Sequence, residues 1–255
     1  MRKVFLFTLI IAALSLQTGR VVSQPLLELP TGVKLTYRVV WLGIRAGTGI
    51  IEIGKLIENG GKYVIPVRSC ISTSGLVRVF LRVDDCLWSE LDPKKLTPFR
   101  FRESISEVKY RRETVIEFDR EENIARIFRP EGGGMRLKKE VAIEDDYHDF
   151  ISWPFYLSTQ ELEKGQTYTF KVLTYNSVDE TSLQVKEEKL ISMPKIGKIR
   201  AFRLIPAGET DESLKKKGGA GEVWVDSKSR LPLVITMKIP QGGSFKLVLE
   251  KKEWI

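Results

Sequence analysis

Residues 33–42 read Val-Lys-Leu-Thr-Tyr-Arg-Val-Val-Trp-Leu, and this stretch decides the fold class. In an extended chain Leu35, Tyr37, Val39 and Trp41 fall on one side, and Lys34, Thr36 and Arg38 fall on the other. A helix would scatter the same side chains around its circumference. The period of two returns further along: Tyr168, Phe170 and Val172; Leu231, Leu233, Ile235, Met237 and Ile239; Phe245, Leu247 and Leu249. One apolar side per strand suits an antiparallel sheet that packs a single face on a core.

Turn chemistry separates these runs. Asn59-Gly60-Gly61 predicts a tight hairpin, because Asn and Gly adopt positive φ at little cost. Residues 119–123, 226–229 and 240–243 predict further hairpin loops, and Lys164-Gly165 another turn. Gly132-Gly133-Gly134 is not followed by Lys-Ser/Thr, so it fails as a phosphate loop and reads as a flexible turn. These signals give roughly ten to twelve strands. Helical spacing is confined to Asp146–Leu157, where Phe150, Trp153 and Leu157 recur and Pro154 should kink the helix, and to Ser74–Phe80. The Gly/Lys-rich piece Glu209–Gly221 reads as a polar loop between strands, too short to divide domains. The expectation is one mainly β domain over residues 24–255.

Residues 1–23 have the layout of a secretory leader: Arg2 and Lys3, the apolar run Val4–Leu16, then a polar stretch ending at Val21-Val22-Ser23. The run is short for a bilayer-spanning helix, which needs about 20 apolar residues. The expected product is exported to the periplasm or beyond, cleaved near Ser23. No Cys stands near the cut to take a lipid. Losing Arg2, Lys3 and Arg20 would lower the formal charge of +8 by three, to +5. The cations are scattered in short runs and lack aromatic interleaving, which argues against nucleic acid. They leave room for weak attraction to anionic lipid or polysaccharide and for peripheral contact with the envelope.

Asp145-Asp146-Tyr147-His148-Asp149 holds three carboxylates and the sole His. Its spacing matches no familiar metal-ligand or acid–base pattern, so neither metal nor cofactor is expected. Acidic residues capping the helix that follows explain it better. There is no Gly-x-Ser-x-Gly elbow, and Ser152 lies four residues from His148, so no catalytic residue is assigned. Cys70 and Cys86 fall short of a zinc site; an oxidising compartment permits them to pair, and their strand registers leave pairing open.

Four segments together resemble one exported bacterial family, domain of unknown function 3108. They are GVKLTYRVVWLGIRAGTGIIEI (32–53), with its aromatic-Leu-Gly-Ile step, and RVDDCLWSELDPKKLTPFRF (82–101), with its Asp…Ser…Asp…Leu-Pro order. HDFISWPFYL (148–157) supplies Asp149, Ser152, Phe155, Tyr156 and Leu157, and GEVWVDSKSRLPLVI (221–235) supplies the Trp…Leu-Pro close. Pro154, the two Cys and Leu233 between Pro232 and Val234 depart from the pattern. The resemblance implies a bacterial envelope location and no established activity. It also implies a strongly curved antiparallel sheet or open half-barrel with one or two short helices, similar to outer-membrane lipoprotein carriers.

The leading expectation is therefore a non-catalytic envelope protein that binds an apolar or amphipathic ligand such as lipid. Trp41, Phe155, Tyr156, Trp224 and Leu233 are its candidate lining, with ordinary core as the alternative for each. An envelope assembly factor binding another protein comes second, and a hydrolase using His148 third.

Overall fold

The computed structural model describes residues 29–108, 110–175, 177–208, 221–238 and 244–255. The leader, most of the Glu209–Gly221 piece and the 240–243 loop lie outside them. The first half of the chain forms β1 (Val33–Trp41), β2 (Ile44–Ile53), β3 (Ile57–Asn59), β4 (Lys62–Thr73), α1 (Gly75–Phe80), β5 (Asp84–Leu91) and β6 (Pro98–Ser106). Three more strands follow, β7 (Arg111–Asp119), β8 (Ile124–Glu131) and β9 (Gly134–Ala142), then β10 (Tyr147–His148) and α2 (Ser152–Ser158). The rest is β11 (Thr167–Leu173), β12 (Val178–Met193), β13 (Gly197–Pro206), β14 (Val223–Asp226), β15 (Pro232–Lys238) and β16 (Ser244–Trp254).

The strands form one sheet in the order β10-β11-β12-β13-β14-β15-β16-β1-β2-β4-β5-β6-β7-β8-β9, with β3 paired to β4 off this path. Every pairing is antiparallel except the short β10–β11 ladder. Among the described residues no ladder joins β9 back to β10 or β11, so the sheet does not close into a barrel. It is nevertheless rolled. Ile116 of β7 and Ile127 of β8 share one buried cluster with Leu173 of β11, Phe155 of α2 and Tyr37 of β1. A flat sheet could not bring strands from its two ends and its middle together.

Strand β1 is at the centre of that core. Val33, Leu35, Tyr37 and Val39 are all 0% exposed, each contributing about 1.5–3 kcal/mol by leaving water. Buried Tyr37 finds a partner for its hydroxyl, donating to the Pro232 carbonyl at 2.8 Å. Close approach to β4 fixes Gly47, where a Cβ would stand 2.0 Å from the Ser72 carbonyl oxygen. The predicted Asn59-Gly60-Gly61 turn is a two-residue hairpin, Asn59 opposite Lys62, with Gly60 at φ 59° and Gly61 at φ 78°. Gly132 and Gly133 do the same between β8 and β9, so the glycine run is a structured turn. At the 119–123 and 226–229 turns, Asp119 and Asp226 accept backbone N–H bonds from residues two and three ahead.

Three expectations need correction. Among the described residues the strands number sixteen, and β9 and the start of β12 are two that lack one-sided apolar alternation. Strand β9 is exposed along nearly its whole length and is held by its ladder to β8. Its charges suit a sheet edge that must not recruit another strand. The helix expected from Asp146 begins only at Ser152, because Tyr147 and His148 pair with β11. Pro154 therefore sits in the first turn, where its missing N–H breaks nothing, and the helix is not kinked. Finally, β15 is buried on both faces, Leu233 at 2% and Val234 at 6%. The β12–β13 turn lies against β16, where Lys195 reaches Glu250 at 3.5 Å, and Met193 joins Val234 and Val248 in the core.

Candidate binding site

The two ends of the sheet meet through side chains. At one end of the roll, Tyr175, in the turn between β11 and β12, lies between two guanidinium groups from the opposite edge. Arg112 of β7 is 4.2 Å from the ring centroid and Arg129 of β8 is 3.9 Å from it. Arg112 is held in turn by Glu103, 3% exposed on β6, at 2.6 and 3.0 Å. Stacked guanidinium–aromatic contacts of this kind are worth about 0.5–2 kcal/mol each, much less than a strand ladder.

At the other end, Arg120 in the β7–β8 turn donates to the carbonyls of Glu144 and Tyr147 at 2.8 and 2.9 Å. Beside it, Asp149 is fully buried: Oδ1 accepts the N–H groups of Ile151 and Ser152, each at 2.7 Å, and Oδ2 accepts the Ser89 hydroxyl at 2.5 Å. Asp149 is thus the one acid of the 145–149 cluster that caps the start of α2. Asp145 and Asp146 form ion pairs with Lys95 and Lys171 instead. Burial raises the Asp149 carboxyl, and the bonds from Ser89, Ser152 and Ile151 oppose that rise.

His148 is 2% exposed, with Nδ1 3.0 Å from Ser152 Oγ, and its ring packs on Tyr156 and Phe170 at centroid distances of 5.0 and 6.2 Å. Burial, with the nearby Arg120 charge, pushes it down to about 4, so it is neutral at pH 7. Ser152 is 0% exposed and its Oγ also accepts the Asp149 N–H at 2.9 Å. A hydroxyl buried and engaged in this way is not presented to a substrate; the cluster fastens α2 to the sheet. Among the described residues no group of three or more His, Cys, Asp or Glu side chains could hold a metal ion.

The five residues chosen from sequence lie in, or pack against, one buried cluster. Phe155, Trp224 and Leu233 are 5%, 9% and 2% exposed within the packed core. Trp41 is half-buried against Phe245, with its ring centroid 6.3 Å away. Half-buried Tyr156 touches both His148 and Phe170 near β11. Trp224 carries Lys189 over its ring at 4.9 Å and shares a buried cluster with Phe155 and Leu233. Sequence reasoning missed Tyr175, Arg112 and Arg129, which join elements about fifty residues or more apart and leave no local signal. Cys70 and Cys86 stand directly opposite each other on β4 and β5 and are bonded.

Fold and site together define a rolled, nearly closed antiparallel sheet whose edges are fastened by side chains. The model of the family Protein of unknown function (DUF3108) matches residues 36–250, and the chain belongs to that family. The crystal structure of a beta-barrel-like protein of domain of unknown function DUF1849 from Brucella abortus is similar at a TM-score of 0.56. Identity is 11%, over 90% of this chain and 99% of that one, a likeness of fold alone. No curated protein matches the chain.

Proposed function

We propose that this chain is a non-catalytic protein of the cell envelope that takes an apolar or amphipathic ligand, such as a lipid, into the space enclosed by its sheet. The observation that carries this reading is the seam. A barrel closed by a ladder opens only by unfolding, whereas this roll is fastened at its edges by Tyr175 between two arginines and by Arg120 on two carbonyls. Parting those contacts would expose an apolar interior without breaking a strand pair.

In this reading Phe155 and Tyr156 on α2 sit beside the entry, and Leu233 lines the interior only after the seam parts. Trp41 and Trp224 then serve chiefly as core. The leader-like N-terminus supports export, and the Cys70–Cys86 bond suits an oxidising compartment. The test is mass spectrometry of solvent extract from protein purified without detergent from its producing cell. One lipid class near one per chain is expected. An extract free of lipid, from protein that also fails to bind added fatty acid, would overturn the reading.

A further inference from the structure

One end of the roll carries large apolar side chains that point into water. Helix α1 is inverted: Val77 alone is buried, while Leu76, Val79 and Phe80, at helical spacing i, i+3, i+4, are 81%, 75% and 79% exposed. The β1–β2 turn lies alongside, since Gly47 pairs with Thr73 and Ser74 N–H donates to the Ala46 carbonyl at 2.8 Å. At its tip Leu42 is 75% exposed and Ile44 53%. Leu42 also holds φ at 49°, a left-handed conformation that suits Asn or Gly and penalises leucine. The two-residue hairpin between Trp41 and Ile44 requires that positive φ but not a leucine there, so it is the exposed apolar side chains that point to a contact made outside the chain.

Charge decides what that contact is. Arg45, Arg78 and Arg82 stand among these side chains. The carboxylates near them are Asp84, shared by Arg78 and Arg82, Glu250, shared by Arg45 with Arg38 and Lys195, and Asp85 and Glu107 beside Asp84. The patch is thus an apolar ridge edged by five cations, Arg38, Arg45, Arg78, Arg82 and Lys195, against four carboxylates. It projects as a helix and a hairpin tip, a shape that a fluid surface accommodates.

We infer that Leu42, Ile44, Leu76, Val79 and Phe80 insert into the surface of an anionic lipid bilayer, with Arg45, Arg78 and Arg82 at the headgroup level. The inference stands apart from the interior site, so either can fail alone. The test is flotation of the purified chain with phosphatidylcholine vesicles and with vesicles containing about a third phosphatidylglycerol, whose negative surface attracts Lys and Arg side chains. Wild type should float with the anionic vesicles and do so less at high salt. Leu42→Asn and Leu76→Ser/Phe80→Ser should each cut partitioning about tenfold or more, by removing inserted apolar area. Leu42→Asn relieves the backbone, so its melting temperature should hold or rise while binding falls, which separates lost binding from lost folding. Equal flotation with both vesicle types, or variants that float like wild type, would overturn the inference. So would a protein partner bound to this ridge in a chain that ignores vesicles.

Discussion

Ser89 Oγ donates a 2.5 Å hydrogen bond to Asp149 Oδ2, joining β5 to the turn that enters α2 across 60 residues of sequence. Asp149→Ala would leave that hydroxyl and the N–H groups of Ile151 and Ser152 buried without an acceptor. The expected loss is about 3 kcal/mol or more, against about 1–2 kcal/mol for Ser89→Ala. Urea denaturation of the two variants checks this; a cost below about 1 kcal/mol for Asp149→Ala would show that α2 is fastened elsewhere.

His148 makes stability depend on acidity. The unfolded chain takes up its proton near 6.5, whereas the folded chain holds the ring neutral down to about 4. Its contribution is therefore fully present above 6.5 and declines as pH falls toward 4, by about 3 kcal/mol at most. Buried Asp149 acts in the opposite sense, because its raised carboxyl contributes stability that is lost as pH rises through the folded value. The difference between wild type and His148→Gln isolates the histidine. Denaturation midpoints at pH 7 and 4.5 should converge on acidification; a gap independent of pH would contradict the assignment.

The Cys70–Cys86 bond closes a loop of 16 residues between neighbouring strands. Chain-entropy reasoning gives it about 3 kcal/mol, and the ladder around it keeps β4 and β5 paired after its loss. Cys70→Ala/Cys86→Ala should fold with a lower denaturation midpoint. A thiol assay on unfolded, unreduced wild type should find no free thiol, and two would mean no bond.

Tyr175→Ala removes the plate between Arg112 and Arg129. The expected effect is local: faster amide exchange in β7, β8 and β11, unchanged protection in β1, β2 and β16, and a global cost of about 1–2 kcal/mol. Uniformly faster exchange would show that the contact supports the whole core instead of a seam.

How much of this was legible depends on range. Val33, Leu35, Tyr37 and Val39 announced their buried face because a strand repeats every two residues, and Gly60-Gly61 announced its turn through φ alone. Strand β9 was invisible because a ladder-held edge needs no apolar face. Of the acidic residues expected to cap the helix, Asp149 alone accepts its first N–H groups, while Asp145 and Asp146 pair with lysines. Yet Ser89, which completes the arrangement, was marked only by resemblance, since nothing in residues 82–101 points to residue 149. The side chains of the seam lie still further apart, and only the rolled sheet brings them together.

The central claim is that this sheet admits an apolar ligand by parting its seam, and titration with a fluorescent fatty acid tests it most directly. Wild type should bind the probe saturably at about one per chain, with competition by unlabelled fatty acid. Tyr175→Ala should bind it faster, because the fastening it removes lies on the path of entry. Absence of saturable binding in both proteins, or an identical rate in both, would contradict the account.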